Sequence, residues 1–233
     1  VTTMGAGSGG PGRGLVVALE TSTRRPTVAA RSGGRTLERG LDGERAHASD
    51  LLPALGVLLE QLGVDRKALV RVVVGVGPGS LTGMRVGVAT ALGLVQGSGA
   101  EIVGVPSFEA AALRALRSTE RADARVQVLC DARGGRFDLA EYERAGDGLR
   151  ALFEPTSLTL EEAAGRTLRF DGTQVLCDAS SRERFAWADG VRSAELAPRA
   201  TDLIALGAAR PAQAPADVEP LYLRAWEGRT RKR

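Results

Sequence analysis

The same opening occurs twice along this chain, and that repetition constrains the fold more than any single motif. Residues 15–20 read LVVALE, an apolar run closed by a carboxylate. A candidate strand follows at Thr27–Arg31, then the pair Gly33-Gly34, then a third strand at Arg35–Arg39. Residues 126–131 read VQVLCD, again an apolar run closed by a carboxylate, followed by Gly134-Gly135 and a return strand at Phe137–Tyr142. A buried strand leading into a glycine-turned hairpin, met twice, indicates a duplicated unit.

After the first hairpin the periodicity predicts a helix over His47–Leu62. Ser49 and Asp50 stand near its start, Pro53 falls in a first turn, and Gly63 follows its end. Leu51, Leu55, Leu58 and Leu62, with Leu52 and Leu59 beside them, form one apolar face. A strand at Val70–Val76, a helix at Leu81–Gln96, a strand at Ile102–Val105 and a helix at Phe108–Arg117 capped by Pro106-Ser107 complete the first unit. The order β-β-β-α-β-α-β-α suits a ribonuclease-H-like or actin-like α/β lobe better than a doubly wound sheet. The second copy reads as reduced: a strand near Leu149–Phe153, a short helix at Leu160–Ala164, a strand at Val175–Asp178 and a final helix at Thr201–Arg210. Pro211–Pro220 reads as an irregular link. The expected division is a flexible tail at 1–13, a first lobe at 14–106, a smaller second lobe at 107–224 whose helix 201–210 could pack on the first, and a frayed basic tail at 225–233.

The first unit carries the segment VVVGVGPGSLTGMRVGVATALGLV at 72–95. Strand, glycine loop, helix is an arrangement that aims backbone N–H groups at an anion. Ser80 stands where a dinucleotide loop has its third glycine, and no Gly-Lys-Ser/Thr follows, so neither common nucleotide loop is present. Glu20, Thr21, Ser22, Gly75, Gly77, Gly79, Ser80, Thr82 and Gly83 could form a vestigial phosphate cradle. The other reading is that the glycines supply turns and close strand–helix contact. Glu20 and Asp131 could hold Mg2+ and phosphates; equally, Glu20 could cap the next turn and Asp131 pair with Arg133 or Arg136. The helix after the loop is apolar on nearly every side (Met84, Val86, Val88, Ala89, Ala91, Leu92, Leu94, Val95), interrupted by Arg85, Thr90 and Gln96 and thinned by Gly87 and Gly93. Such a helix is expected to be covered on both sides, by the sheet and by a second helix or another protein.

Composition removes several function classes. The one histidine, His47, and the two cysteines, Cys130 and Cys177, exclude a histidine-built metal site and leave no Ser-His-Asp pattern with a nucleophile elbow. The cysteines read as buried reduced thiols. A net charge of +3 does not demand nucleic acid, and a basic end at Arg229–Arg233 reads as a solvated tail. No run is long and apolar enough to span a bilayer, and the first residues lack the apolar core of a signal peptide. These features point to a cytosolic protein without membrane contact, metal or cofactor.

LVVALETST, ALGVLLEQLG, GVGPGSLTGMRVGVATALGLVQG, VPSFEAAA, CDARGGRFDLAEY and PLYLR occur in that order, and together they resemble the TsaB (YeaZ) family over about residues 14–224. Members of that family are accessory subunits of the bacterial machinery that makes N6-threonylcarbamoyladenosine (t6A) in tRNA. The resemblance implies an actin/Hsp70/sugar-kinase-like (ASKHA) fold with a reduced second lobe. It implies no catalysis by this chain. It implies pairing with the TsaD paralogue or with itself, docking of the TsaE ATPase on that pair, and indirect contact with tRNA. TsaD binds metal through a His-x-x-x-His helix, which a chain with one histidine cannot contain. Pairing would use the first-lobe helices, through Leu51, Leu52, Leu55, Leu59, Met84, Arg85, Val88, Ala91, Leu92 and Val95. The sequence departs from the family in Glu20, where Asp is usual, and in Leu81 and Met84. The rival reading is a small Mg-dependent ASKHA ATPase or phosphotransferase using Glu20 and Asp131, although no Gly/Thr-rich run follows Asp131.

Overall fold

The computed structural model describes residues 14–41, 48–172, 174–187 and 189–223. His47 and the tails at 1–13 and 225–233 lie outside the described residues.

Among the described residues two five-stranded sheets are present, and they share one topology. In the first, β1 (Leu15–Glu20), β2 (Thr27–Ser32) and β3 (Arg35–Gly40) form an antiparallel meander. After α1 (Ala48–Leu62), β4 (Leu69–Gly77) pairs parallel with β1; after α2 (Leu81–Ser98), β5 (Glu101–Pro106) pairs parallel with β4. The helix α3 (Ser107–Arg117) closes the unit. The second unit repeats it element for element. β6 (Arg125–Arg133), β7 (Arg136–Ala145) and β8 (Gly148–Thr159) form the meander. α4 (Leu160–Leu168) leads to β9 (Gln174–Cys177) beside β6, α5 (Ala179–Arg184) to β10 (Arg192–Glu195) beside β9, and α6 (Ala200–Ala208) closes. Two ribonuclease-H-like units in tandem are the ASKHA architecture. Both hairpins turn through left-handed glycines, Gly33 and Gly34 at φ 56° and 79°, and Gly134 and Gly135 at 61° and 73°, backbone that a β-carbon disfavours.

The units are joined by their closing helices. The α3 residues Phe108, Ala111, Ala112 and Leu116 pack with Val126, Val128 and Tyr142 of the second sheet. The α6 residues Ala200, Leu203 and Ile204 pack with Ala18, Ala29, Val73 and Val103 of the first. The two helices touch and are bridged by Arg210–Glu109 and Arg114–Asp202. On the opposite face of the first sheet, Leu51, Ala54, Leu55 and Leu58 of α1 and Val88, Ala91 and Val95 of α2 meet Leu19, Val28, Val72 and Val74.

Several expectations change. α5 and β10 are additional elements. β8 runs on past Phe153 to Thr159, and α4 continues to Leu168. Pro53 sits six residues into α1 as described, beyond the first turn. Ser107 is the first residue of α3 and does not cap it; Pro106 is the N-cap, without a side-chain bond. The link at 211–220 is anchored: Gln213 N–H donates to Ile102 O at 2.9 Å, its Oε1 accepts from Gly104 N–H at 2.6 Å, and Val218 is buried. Of the two coverings expected for the outer side of α2, a second helix does not supply one among the described residues of the chain, since Leu81, Arg85, Ala89 and Gly93 are exposed.

Candidate functional site

The fold brings Glu20, Thr21 and Ser22 at the end of β1 against the loop between β4 and α2. Each glycine there has a specific neighbour. A β-carbon on Gly75 would lie 2.1 Å from Glu20 Oε2, one on Gly79 2.4 Å from Ser22 O, and one on Gly83 2.0 Å from Thr21 O. One on Gly77 would lie 2.0 Å from Met84 Sδ, and one on Gly87 2.3 Å from Thr21 Oγ1. The glycines are therefore sites of close approach between the loop, α2 and residues 20–22.

Four N–H donors of the loop and the first turn of α2 are engaged by the chain itself. Ser80 N–H donates to Ser22 O at 2.7 Å and Met84 N–H to Ser80 O at 2.8 Å. Gly83 N–H donates to Ser80 Oγ at 3.3 Å, the helix N-cap bond, and Gly77 N–H to Ser107 Oγ at 3.2 Å. Thr21 Oγ1 donates to Gly83 O at 2.7 Å. Ser80, Gly79 and Thr82 remain exposed, whereas Glu20, Thr21, Ser22, Gly75 and Gly77 are buried.

Glu20 decides the metal question. Its side chain has 0% exposure, its Oε1 accepts from Ser22 N–H at 2.7 Å, and its Oε2 has no hydrogen-bond partner. Burial pushes the carboxyl above its ordinary range, against the lowering effect of its bonds with Ser22. A Mg2+ ligand needs an ionised oxygen open to the ion and its waters. A carboxyl sealed from solvent and pressed against Gly75 leaves no oxygen open to the ion and its waters, so these residues do not fit a Mg-nucleotide.

Asp131 occupies the equivalent place in the second unit. Its Oδ1 accepts from Arg133 N–H at 2.7 Å, matching the Glu20–Ser22 turn two residues on, and its Oδ2 accepts from Ser180 Oγ at 2.9 Å. Asp131 thus closes a turn and anchors α5. Cys130 and Cys177 are buried free thiols, both held above the ordinary thiol range chiefly by burial.

The residues expected on a pairing face divide in two. Leu51, Leu55, Met84, Val88, Ala91 and Val95 are buried in the chain's own core, each at 7% exposure or less. Leu52, at 53%, and Arg85 are exposed, while Leu59 and Leu92 are half-buried. The outward surface of α2 is instead the row Leu81, Arg85, Ala89, Gly93. Sequence reasoning named Ser107 only as a helix cap and Tyr222 only within PLYLR, and placed neither at this site, where the Ser107 hydroxyl links α3 to Gly77 and Tyr222 bonds Arg85. Both are tertiary contacts across large sequence separations, and no local pattern marks those contacts.

The model of the family "TsaD: tRNA N6-adenosine threonylcarbamoyltransferase" matches residues 42–179, more than half of the chain. The tRNA threonylcarbamoyladenosine biosynthesis protein TsaB of Escherichia coli strain K12 is 27% identical over 228 residues, 91% of this chain and 96% of that protein. The protein of the same description from Haemophilus influenzae is 31% identical over 97 residues, 42% of this chain and 41% of its own length. Among solved structures, YeaZ from Pseudomonas aeruginosa superposes with a TM-score of 0.78 at 28% identity, covering 90% of this chain and all of that one. The chain therefore belongs to the TsaD-type threonylcarbamoyltransferase family of domains, and within it to the TsaB (YeaZ) group.

Proposed function

We propose that this chain is the accessory, non-catalytic subunit of t6A biosynthesis, pairing with a TsaD-type threonylcarbamoyltransferase and holding it in a competent state. The observation that carries the reading is the agreement between near full-length similarity to TsaB and YeaZ and the end of β1, where the Glu20 carboxyl is sealed against Gly75 with no oxygen open to a metal ion. A phosphotransferase or ATPase using Glu20 and Asp131 is disfavoured by the same geometry.

The pairing surface of this reading is the outer side of α1 and α2, with Leu52, Leu81, Arg85 and Ala89 as contacts and Leu59 and Leu92 at its margin. The buried members of the two helices shape that surface from beneath. A TsaE-type ATPase joins the pair, tRNA is met through the complex, and the assembly works in the cytosol. The same surface serves a homodimer when the transferase is absent.

Co-expression with the cognate TsaD-type chain, followed by size exclusion and mass determination, tests the reading. A one-to-one heteromer is expected, and Leu52→Asp should weaken it without lowering the melting temperature. Absence of any complex at micromolar concentrations would overturn the proposal.

A further inference from the structure

The link after α6 acts as a strap with three fixed points. Gln213 bonds Ile102 and Gly104 on β5, Val218 enters the first-lobe core at 4% exposure, and Leu221 N–H donates to Val76 O at 2.8 Å. These contacts deliver the next residue, Tyr222, onto α2. Its hydroxyl accepts from Arg85 Nε at 3.0 Å, and the guanidinium carbon lies 5.9 Å from its ring centroid. Tyr222 is nonetheless 47% exposed, and Leu81, one turn before Arg85, is 46% exposed. Leu81, Arg85, Ala89 and Gly93 are spaced four apart and form one ridge. Its head carries an aromatic ring, a leucine and a pre-oriented cation; its remainder is nearly flat.

We propose that Tyr222 and Arg85 together anchor the transferase partner, so that the strap as well as the helices forms the pairing surface. The inference rests on the pairing reading above. The occupant is a chain of related fold: the family model matching residues 42–179, α1 and α2 included, describes the transferase itself. Two related helices interdigitate along rows four residues apart, and Ala89 and Gly93 let the axes approach. Tyr and Arg are the side chains most often found to dominate binding. A pair already held by a hydrogen bond and a ring contact loses little freedom on association. The chemistry required of the partner is an apolar contact for the ring and Leu81, beside an oxygen acceptor for the remaining guanidinium N–H groups.

The test is calorimetric titration of the full chain with the purified TsaD-type transferase. It compares wild type with Tyr222→Ala, Tyr222→Phe, Arg85→Ala, the double alanine variant and Leu52→Asp. Tyr222→Ala and Arg85→Ala should each raise Kd at least tenfold, with Tyr222→Phe between wild type and alanine. The double variant should lose less than the product of the two single losses, since the residues act as one unit. Melting temperatures should stay within 2 °C or so, because both groups sit on the surface. A Kd within twofold of wild type for Tyr222→Ala overturns the inference, as does tighter binding or an effect confined to self-association. If Leu52→Asp weakens the complex and Tyr222→Ala does not, the anchor fails while the pairing face stands. If the complex forms and neither variant weakens it, both fail.

Discussion

Gly83→Ala is the most informative single substitution in the contact between the glycine loop and residues 20–22. The added β-carbon would sit 2.0 Å from Thr21 O, whereas even a close C···O contact is about 3.3 Å. The helix and the β1 end must therefore separate by about 1.3 Å. That movement strains the Thr21 Oγ1–Gly83 O bond and its neighbour from Ser80 N–H to Ser22 O, each 2.7 Å. Overpacking costs about 1–3 kcal/mol, and a weakened hydrogen bond about 1 kcal/mol more. Replacing glycine within a helix returns up to about 1 kcal/mol. The expected net loss is about 2 kcal/mol, read as a lower urea midpoint at unchanged slope by circular dichroism. Gly97→Ala in the same helix is the control: nothing lies within 4 Å of its β-carbon, so it should be neutral or stabilising by up to about 1 kcal/mol. If Gly83→Ala matches Gly97→Ala, the close-packed account of the loop is wrong.

Other consequences follow from the same geometry. Glu20→Gln keeps size and hydrogen-bonding capacity but cannot ionise. Because burial raises the folded-state pKa of Glu20, its protonated form stabilises the fold below the unfolded pKa, and that contribution is lost as pH rises through the folded pKa. The stability of wild type minus that of Glu20→Gln should decline as pH rises above about 4.5 in paired urea titrations; a flat difference contradicts the assignment. Val88→Arg places a charge at a 5%-exposed core position and should prevent folding, seen as loss of the cooperative melt; a folded monomer would return Val88 to the surface. Thr159→Ala removes the side-chain half of the α4 capping box, in which Thr159 Oγ1 accepts from Glu162 N–H, and leaves the Glu162 carboxylate on the Thr159 backbone N–H; it should cost about 1 kcal/mol in the same urea assay.

Much of the first unit was legible because its signals are local. Gly33-Gly34 fixes a hairpin by its left-handed backbone, and the leucines of α1 mark a buried face at helical spacing. The second unit was less legible because its elements lean on tertiary support. The six residues of α5, ASSRER, carry no apolar face, and the helix is held by Asp178 capping Ser181 at 3.0 Å. β10, RSAE, is a four-residue edge strand with no alternation to read. The strand expected near Leu149–Phe153 continues through Pro155 to Thr159 with a register shift against β7, as an edge strand permits. Within the candidate site, the glycines were legible as turns or close contacts, but not which atom each one meets. The even apolar covering of α2 hid its direction: only the packed structure separates Met84, Val88, Ala91 and Val95 beneath from Leu81, Arg85 and Ala89 outside. Tyr222 lies 137 residues from Arg85, beyond the reach of any periodicity.

The central claim, that this chain enables a transferase without catalysing the transfer, is tested most directly by reconstitution. Purified TsaD-type and TsaE-type partners, threonylcarbamoyl-adenylate, ATP and unmodified tRNA are combined with and without this chain, and t6A is quantified by nucleoside mass spectrometry. The account predicts modification that depends on the chain and is retained by Glu20→Gln. Full modification in its absence, or loss of activity with Glu20→Gln in a chain that still folds and pairs, would contradict it.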